Sequence, residues 1–342
     1  MSLSIYGKLP SGERLKRIQA SPNYKNGAFQ NLSETPALAE DATFFKTMRD
    51  FFSKPKTVQP QVALPSIRTN LNKLPDNKPV IVWFGHSSYL IKLNGKTILI
   101  DPVLSGNAAP VSCMIRAFMG ADVYKPEDFP KIDVLLITHD HYDHLDYKAV
   151  LKLMPKVRSV ICSLGVGSHL EHWGFDPKKI SELDWWENTD HNGLFFTATP
   201  GRHFSGRGIK RGQTLWSGFV LRAGDHNLFL GGDSGYDTHF KEIGNRYGPF
   251  DIAILESGQY NKLWPHIHMI PEQTVQASID LKAKVLLPVH WGKFSLAMHA
   301  WNEPIERVIK KAKELNVHVT TPLIGEPLIL GETLPEKEWW KI

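Results

Sequence analysis

Nine consecutive residues, THDHYDHLD from Thr138 to Asp146, hold three histidines and three aspartates directly after the apolar run VLLI. Imidazoles and carboxylates are costly to keep beside an apolar strand unless something satisfies them, and a divalent cation satisfies several at once. His139 and His141 are separated by one residue, while Asp143 and His144 follow on the turn into a helix, so one short loop can face two adjacent metal ions. Three further apolar runs end in a ligating side chain: LFFTATPGRH in His203, LFLGGD in Asp233 and VLLPVH in His290. Strand ends gather at one rim of a layered α/β fold, so these distant residues can converge there. Two ions about 3.5–4 Å apart, held by imidazole and carboxylate, would carry a bridging hydroxide near neutral pH, and the chemistry expected is hydrolysis. No cysteine stands at a ligand position, and the oxygen-rich donor set suits phosphoryl substrates. A plainer reading makes the loop a polar helix start capped by Asp146 with surface histidines. His203 or His290 alone would be an ordinary loop histidine, and it is the ensemble that argues for metal.

The elements that must position these groups can be read around them. Residues 1–31 are polar and aperiodic and are expected to form an extended arm, with ordering by packing on the main domain left open. Thr35 and Pro36 then signal a helix start, and Leu38, Phe45, Met48 and Phe52 recur at helical spacing until Pro55. That helix could dock on the core, line an acyl groove or lie on a membrane surface. Pro55, Pro60, Pro65, Pro75 and Pro79 mark a connector, which divides the chain into an N-terminal part, 1–78, and a main domain, 79–342. The main domain opens with two strand-like runs joined at Asn94-Gly95, a hairpin signal. Apolar runs at 134–137, 159–163, 194–199, 218–223, 227–232, 251–255 and 284–289 read as strands, and 146–154, 271–283 and 303–315 as helices. Hairpin and helical connections together predict a layered α/β architecture.

Composition bounds the function. The chain has 342 residues, 42% of them hydrophobic and 22% charged, enough for a large core. A net charge of +5 comes from basic residues spread along the chain, so nucleic acid is not expected as a partner. Cys113 and Cys162 form neither a disulfide framework nor a metal-ligand spacing. With no apolar leader and no stretch long enough to span a bilayer, the expectation is a cytoplasmic protein. Dinucleotide chemistry is unsupported, since GVGSHLEHWG lacks the third glycine of the phosphate-binding fingerprint.

The H-x-H-x-D-H loop with its downstream His, Asp and His resembles the signature of the metallo-β-lactamase superfamily. Residues about 81–325 are similar to the branch typified by N-acyl-phosphatidylethanolamine-hydrolysing phospholipase D. WFGHSSYLI, ILIDP, LITHDHYDHLDY, ELDWWE, TLWSGF, GGDSGY, EIGNRYGPFD and PVHWGKF occur in family order. The resemblance implies a four-layer αβ/βα sandwich with the metal site along one edge. It implies that His139, His141 and His203 hold one zinc ion, that Asp143, His144 and His290 hold a second, and that Asp233 bridges them. Manganese or iron suits the same donors. Asp101 matches a position that orients a ligand histidine from behind, His86 lies near the same rim, and His268 borders the substrate pocket. Asp143, Asp233 and His268 are thus the expected catalytic residues. In GRHFSGRGIKRG the basic side chains Arg202, Arg207, Lys210 and Arg211 stand beside His203, and a guanidinium suits a substrate phosphate. Arg202 and Arg207 are expected to bind substrate, the alternative being a solvated basic loop.

The function expected is a binuclear zinc phosphodiesterase acting on a small-molecule or lipid phosphodiester, with peripheral membrane contact and homo-oligomerisation left open. The alternatives are a lactonase of the ascorbate-6-phosphate lactonase type and a non-catalytic metal- or lipid-binding module. LESGQYNKLWPHIH and most of the first 75 residues depart from the lipid-hydrolysing enzyme, and these parts would line the substrate channel.

Overall fold

The apolar runs become the strands of two sheets in the computed structural model, which describes residues 3–36, 38–39, 53–111 and 113–342. In chain order the strands are β1 (Tyr24–Lys25), β2 (Ala28–Phe29), β3 (Val80–Trp83), β4 (Tyr89–Leu93), β5 (Lys96–Ile100), β6 (Ile132–Ile137), β7 (Val157–Ser163) and β8 (Ile180–Leu183). They continue as β9 (Asn188–His191), β10 (Leu194–Thr199), β11 (Gly218–Ala223), β12 (His226–Leu230), β13 (Ile252–Glu256), β14 (Leu286–Val289) and β15 (Pro327–Ile329). The helices are α1 (Gly12–Ala20), α2 (Tyr147–Leu153), α3 (Gly167–His172), α4 (His239–Tyr247), α5 (Pro271–Asp280) and α6 (Glu303–Leu315). One sheet runs β15-β3-β4-β5-β6-β7-β8 and the other β14-β13-β12-β11-β10-β9, while β1 and β2 form a separate ribbon.

The layers follow from alternation along each strand. In β6, Val134 and Leu136 enter the core between the sheets, while Leu135 and Ile137 face the outer layer with Ala149, Val150 and Leu153 of α2 and Leu170 of α3. Both faces are therefore apolar, and the strand reads as a continuous hydrophobic run. On the other sheet, Phe240 and Ile243 of α4, Val275 of α5 and Ile305 and Val308 of α6 complete the fourth layer. The αβ/βα sandwich is as expected.

The Asn94-Gly95 turn joins β4 to β5, both residues having positive φ (49° and 71°) as a two-residue hairpin requires. The first expected strand of that hairpin is split in two, with the loop 84–88 between β3 and β4 carrying His86. The arm expected at 1–31 instead contains α1 and the β1-β2 ribbon. Arg14 of α1 pairs with Glu171 and Glu182, and Ile18 is fully buried beside Trp185 and Leu215. Contacts made far along the chain, not local periodicity, order this segment. The helix expected at 35–54 lies largely outside the described residues. No helix among the described residues is long and apolar enough to cross a membrane.

Candidate metal centre

Most of the site residues follow the C-terminal end of a strand. His86 follows β3, Asp101 β5, His139 β6, His203 β10, Asp233 β12 and His290 β14. The two sheets meet behind this rim, where Ser217 N–H (3.1 Å) and the Ser163 hydroxyl donate to the carbonyl of Thr138. Helix α2 fixes the other end of the ligand loop. Asp146 caps it by accepting from the N–H groups of Lys148 and Ala149, and its second oxygen accepts from Leu104 and Ser105.

The seven expected donors are brought together. The His141 Nδ1 stands 2.9 Å from His139 Nε2 and 3.2 Å from His203 Nε2. Asp233 Oδ2 is 3.1 Å from His144 Nε2, and Asp233 Oδ1 is 3.2 Å from His290 Nδ1. Asp143 Oδ2 lies 3.6 Å from His144 Nε2. Two donors ~2.0–2.1 Å from one ion and roughly 90–110° apart would be about 2.9–3.4 Å from each other, so the close pairs have ligand spacing. Groups His139/His141/His203, His139/His144/Asp233 and His86/Asp143/His144/His290 each offer donor atoms within 4.8 Å of one another.

The tautomers agree. His203 Nδ1 faces the carbonyl of Ile267 (2.8 Å) and His144 Nδ1 faces Asp101 Oδ2 (2.8 Å); both partners only accept, so the proton sits on Nδ1. Thr138 donates its hydroxyl to Asp101 and so accepts from His139 Nδ1 at 3.1 Å. Three histidines thus turn Nε2 lone pairs towards Asp233, and His144 Nε2 and Asp233 Oδ1 are buried with no hydrogen-bond partner. Lone pairs and carboxylate oxygens converging in a buried space fit a cation between them.

The electrostatics point the same way. Burial pushes the pKa values of His139, His203 and His290 well below the ordinary histidine value, which keeps them neutral and able to ligate. Burial acts against the charged form of His144 too, but Asp233 and Asp143 outweigh it and push its pKa up. That crowd of carboxylates calls for positive charge. Backbone strain gathers here as well: His86, Asp101, Gln259 and His290 all have φ between 42° and 68°.

The surrounding residues divide sharply. Asp101 accepts from Thr138 N–H, the Thr138 hydroxyl and His144. His86 is fully buried and meets Asp143 Oδ2 at 2.9 Å through Nε2. His268 lines the cavity and is held at Nδ1 by Glu256 (2.7 Å). Burial alone would lower the pKa of His268, but Glu256, then Asp233 and Asp143, hold it up at about 9. Glu256 was not among the expected residues, yet it ends strand β13 as the ligands end theirs, and that rule would have found it. Asn31 was also missed. Its amide accepts from the His203 N–H (3.0 Å) and donates to the His203 carbonyl (2.8 Å) across 172 residues of sequence.

Arg202 and Arg207 are a correction. Arg202 spends its donors on the Glu34 carbonyl, the Thr35 hydroxyl and the Tyr236 carbonyl. Arg207 is buried over the Tyr142 ring and donates to the carbonyls of Ile5, Asp140 and Leu145. Both guanidiniums brace the ligand loops from inside the protein, and neither lines the cavity.

That cavity, about 700 Å³, opens directly onto the donors. His141, Asp143, His203, Asp233, His268 and His290 form its polar end. Met114, Ile115, Phe204, Trp264, Ile267 and Leu296 supply its apolar walls.

Comparison with known proteins agrees with this geometry. A family model described as "Beta-lactamase superfamily domain" matches residues 96–291. An uncharacterized protein of Mycobacterium tuberculosis is 35% identical over 329 residues, 95% of this chain and 88% of that protein. N-acyl-phosphatidylethanolamine-hydrolyzing phospholipase D 1 of Caenorhabditis elegans is 31% identical over 233 residues, covering 63% of this chain and 64% of that protein. The solved structure of Igni18, a metallo hydrolase from Ignicoccus hospitalis, superposes with a TM-score of 0.55 at 20% identity, over 75% of this chain and 100% of that one. At that identity the likeness is one of fold. With ligand-spaced donors at the C-terminal rim of a two-sheet sandwich, the chain belongs to the metallo-β-lactamase superfamily, among metal-dependent hydrolases similar to the N-acyl-phosphatidylethanolamine-hydrolysing phospholipase D branch.

Proposed function

We propose that the protein is a binuclear metal-dependent phosphodiesterase whose substrate is a lipid-like phosphodiester. The observation that carries this reading is two adjoining donor groups, His139/His141/His203 and His86/Asp143/His144/His290, with Asp233 lying 3.1–3.8 Å from histidines of both, at the polar end of a largely apolar cavity of about 700 Å³. His139, His141 and His203 would hold one ion, Asp143, His144 and His290 the other, and Asp233 would touch both. Zinc is the assignment that imidazole and carboxylate donors favour, with manganese and iron able to use the same set. Such a pair supplies an activated water and neutralises charge on phosphoryl oxygens.

The chain's own residues do the rest. Asp101 and Thr138 keep His144 and His139 in the tautomer that presents Nε2. His86 holds Asp143. His268, oriented by Glu256, is the proton donor at the leaving alkoxide oxygen, and the apolar walls exclude bulk water while seating hydrocarbon. The name of the C. elegans relative describes hydrolysis of an N-acylated phospholipid, an amphiphile that such a cavity suits. Two cysteines without a disulfide partner fit a cytoplasmic setting.

The test is elemental analysis of the purified protein together with kcat/KM for bis(p-nitrophenyl) phosphate, a chromogenic cephalosporin, a lactone and an N-acylated phospholipid. The expected result is close to two ions per chain and phosphodiester turnover well above cephalosporin turnover. One ion at full activity would overturn the binuclear part, and lactone preference would move the protein to the lactonase class.

A further inference from the structure

Behind Phe204 lies a second, smaller chamber of about 210 Å³, walled by Gln30, Asn31, Thr35, Gly212 and Trp216. It shares His203, Phe204, Arg211 and Ile267 with the catalytic cavity, so the two spaces are separated by little more than one phenyl ring and one guanidinium. The Arg211 Cζ lies 4.9 Å from the centre of the Phe204 ring, and that ring lies 4.6 Å from the ring of His141 and 4.9 Å from that of His203. A positive charge is thereby held one aromatic ring away from the metal donors.

Arg211 differs from the other arginines of its loop. Arg202 and Arg207 spend their donors inside the protein, whereas the guanidinium of Arg211 makes no hydrogen bond or ion pair with any described residue. Among the described residues no carboxylate lines the side chamber, and Arg211 is the one guanidinium or ammonium that lines the catalytic cavity. The main chain beneath it is fixed. Gly212 N–H donates to Ser205 O (3.0 Å), Phe29 N–H donates to Gly212 O (2.8 Å), and the Gln213 amide donates to Arg211 O (3.2 Å). Gly206, at φ 140°, packs so close that a Cβ there would meet the Cα of Arg211 at 3.2 Å. An anchored base and a stacking ring reduce the entropy lost when an arginine engages a ligand.

We propose that Arg211 and this chamber form an anion subsite, which binds a second acidic group of the substrate, a carboxylate or a phosphate, beside the scissile ester. The proposal deepens the phosphodiesterase reading and rests on it for the identity of the reacting group. A volume of about 210 Å³ admits such a group with a few waters, since each water takes about 30 Å³. The planar fork of donors matches either anion in two-point contact. The substrate class is then an amphiphilic phosphodiester with an acidic head group, in preference to one whose head group is neutral or cationic.

The experiment uses the full-length, metal-loaded protein and an octyl phosphinate in which both bridging oxygens are replaced by methylenes. Its short arm ends either in a carboxylate or in the isosteric carboxamide, and binding is read by calorimetry. The wild type is expected to bind the carboxylate at least about tenfold more tightly than the carboxamide, with the difference shrinking as salt rises. Arg211→Ala is expected to remove the preference while leaving carboxamide affinity, metal content and melting temperature in place. Arg211→Lys should restore part of it, keeping the charge without the fork. A wild type without preference, an Arg211→Ala variant that retains it, or no binding of either phosphinate overturns the subsite. Turnover of neutral phosphodiesters would still support the phosphodiesterase reading in those cases. Conversely, a carboxylate preference in a protein that hydrolyses no phosphodiester would sink that reading and leave the subsite standing.

Discussion

Asp101 shows how far a candidate metal ligand depends on a residue that is not one. Its carboxylate accepts from His144 Nδ1 and from both donors of Thr138, so it sets the tautomer of His144 and, through Thr138, that of His139. In Asp101→Asn an amide N–H would face His144 or Thr138, and metal affinity should fall about 10–100-fold. Competition against a chromogenic chelator measures this, and unchanged affinity would show that the tautomer is set elsewhere. A different histidine carries a prediction about acid stability. His239 is buried and meets the Ser234 hydroxyl at 3.1 Å. Burial, opposed by Asp237 and reinforced by Arg202, lowers its pKa from 6.5 to about 4. Between those values the unfolded chain takes a proton that the native protein refuses, so this contribution is complete above the upper value and is lost as the pH falls. Between about pH 7 and about pH 5 the wild type should lose about 2 kcal/mol more than His239→Gln. Urea unfolding at the two pH values reads the difference, and parallel losses would remove His239 from the account.

At the level of elements, the ligand loops are only as firm as the strands and rings beneath them. His290 leaves β14 and is followed by Trp291, which stacks on Trp339 at 5.0 Å and 14° between ring planes. Trp339 donates its indole N–H to the Pro322 carbonyl and is 3% exposed. Antiparallel to β3, β15 brings the C-terminal tail into this position. Trp339→Ala should cost about 3–5 kcal/mol, the range for emptying a large aromatic site in a core. It should also weaken metal retention at the His290 side, since the backbone there has φ 68° and relies on packing to hold it. Denaturant unfolding and metal counting test both, and a stability loss with full metal retention would separate the tail from the site.

Seen as a whole, the molecule is tied together across its candidate metal centre by the N-terminal segment. Asn31 clamps the peptide groups of His203, Arg207 joins the Ile5 carbonyl to the ligand loop, and Trp173 donates to the Ser4 carbonyl. Asn31→Ala leaves two buried peptide groups unpaired and should destabilise the protein by about 1–3 kcal/mol. The ion held by His203 should dissociate more readily, whereas Asn31→Asp, which still accepts from His203 N–H, should be milder. Elemental analysis after dialysis against a weak chelator gives the ranking, and equal retention by both variants would contradict it.

The donor residues and their strand-end positions were legible in the sequence, because coordinating ability belongs to residue type and an apolar run shows where a strand stops. The same logic reached α2, α5 and α6, whose apolar faces repeat at helical spacing, and the turn at Asn94-Gly95. It missed β9, whose sequence NTDH has no apolar pattern to announce it, and α4, HFKEIGNRY, where Phe240, Ile243 and Tyr247 stand at helical spacing but over only nine residues. It placed Arg202 and Arg207 with the substrate because charge is visible in a sequence and direction is not. Only the tertiary structure decided that those two guanidiniums turn inward while Arg211 turns to the cavity. The partners that set each imidazole's tautomer, the carbonyl of Ile267 among them, and the Asn31 clamp were likewise fixed there. A hydrogen bond is satisfied by whichever group folding brings within about 3 Å, and sequence separation carries no information about that distance.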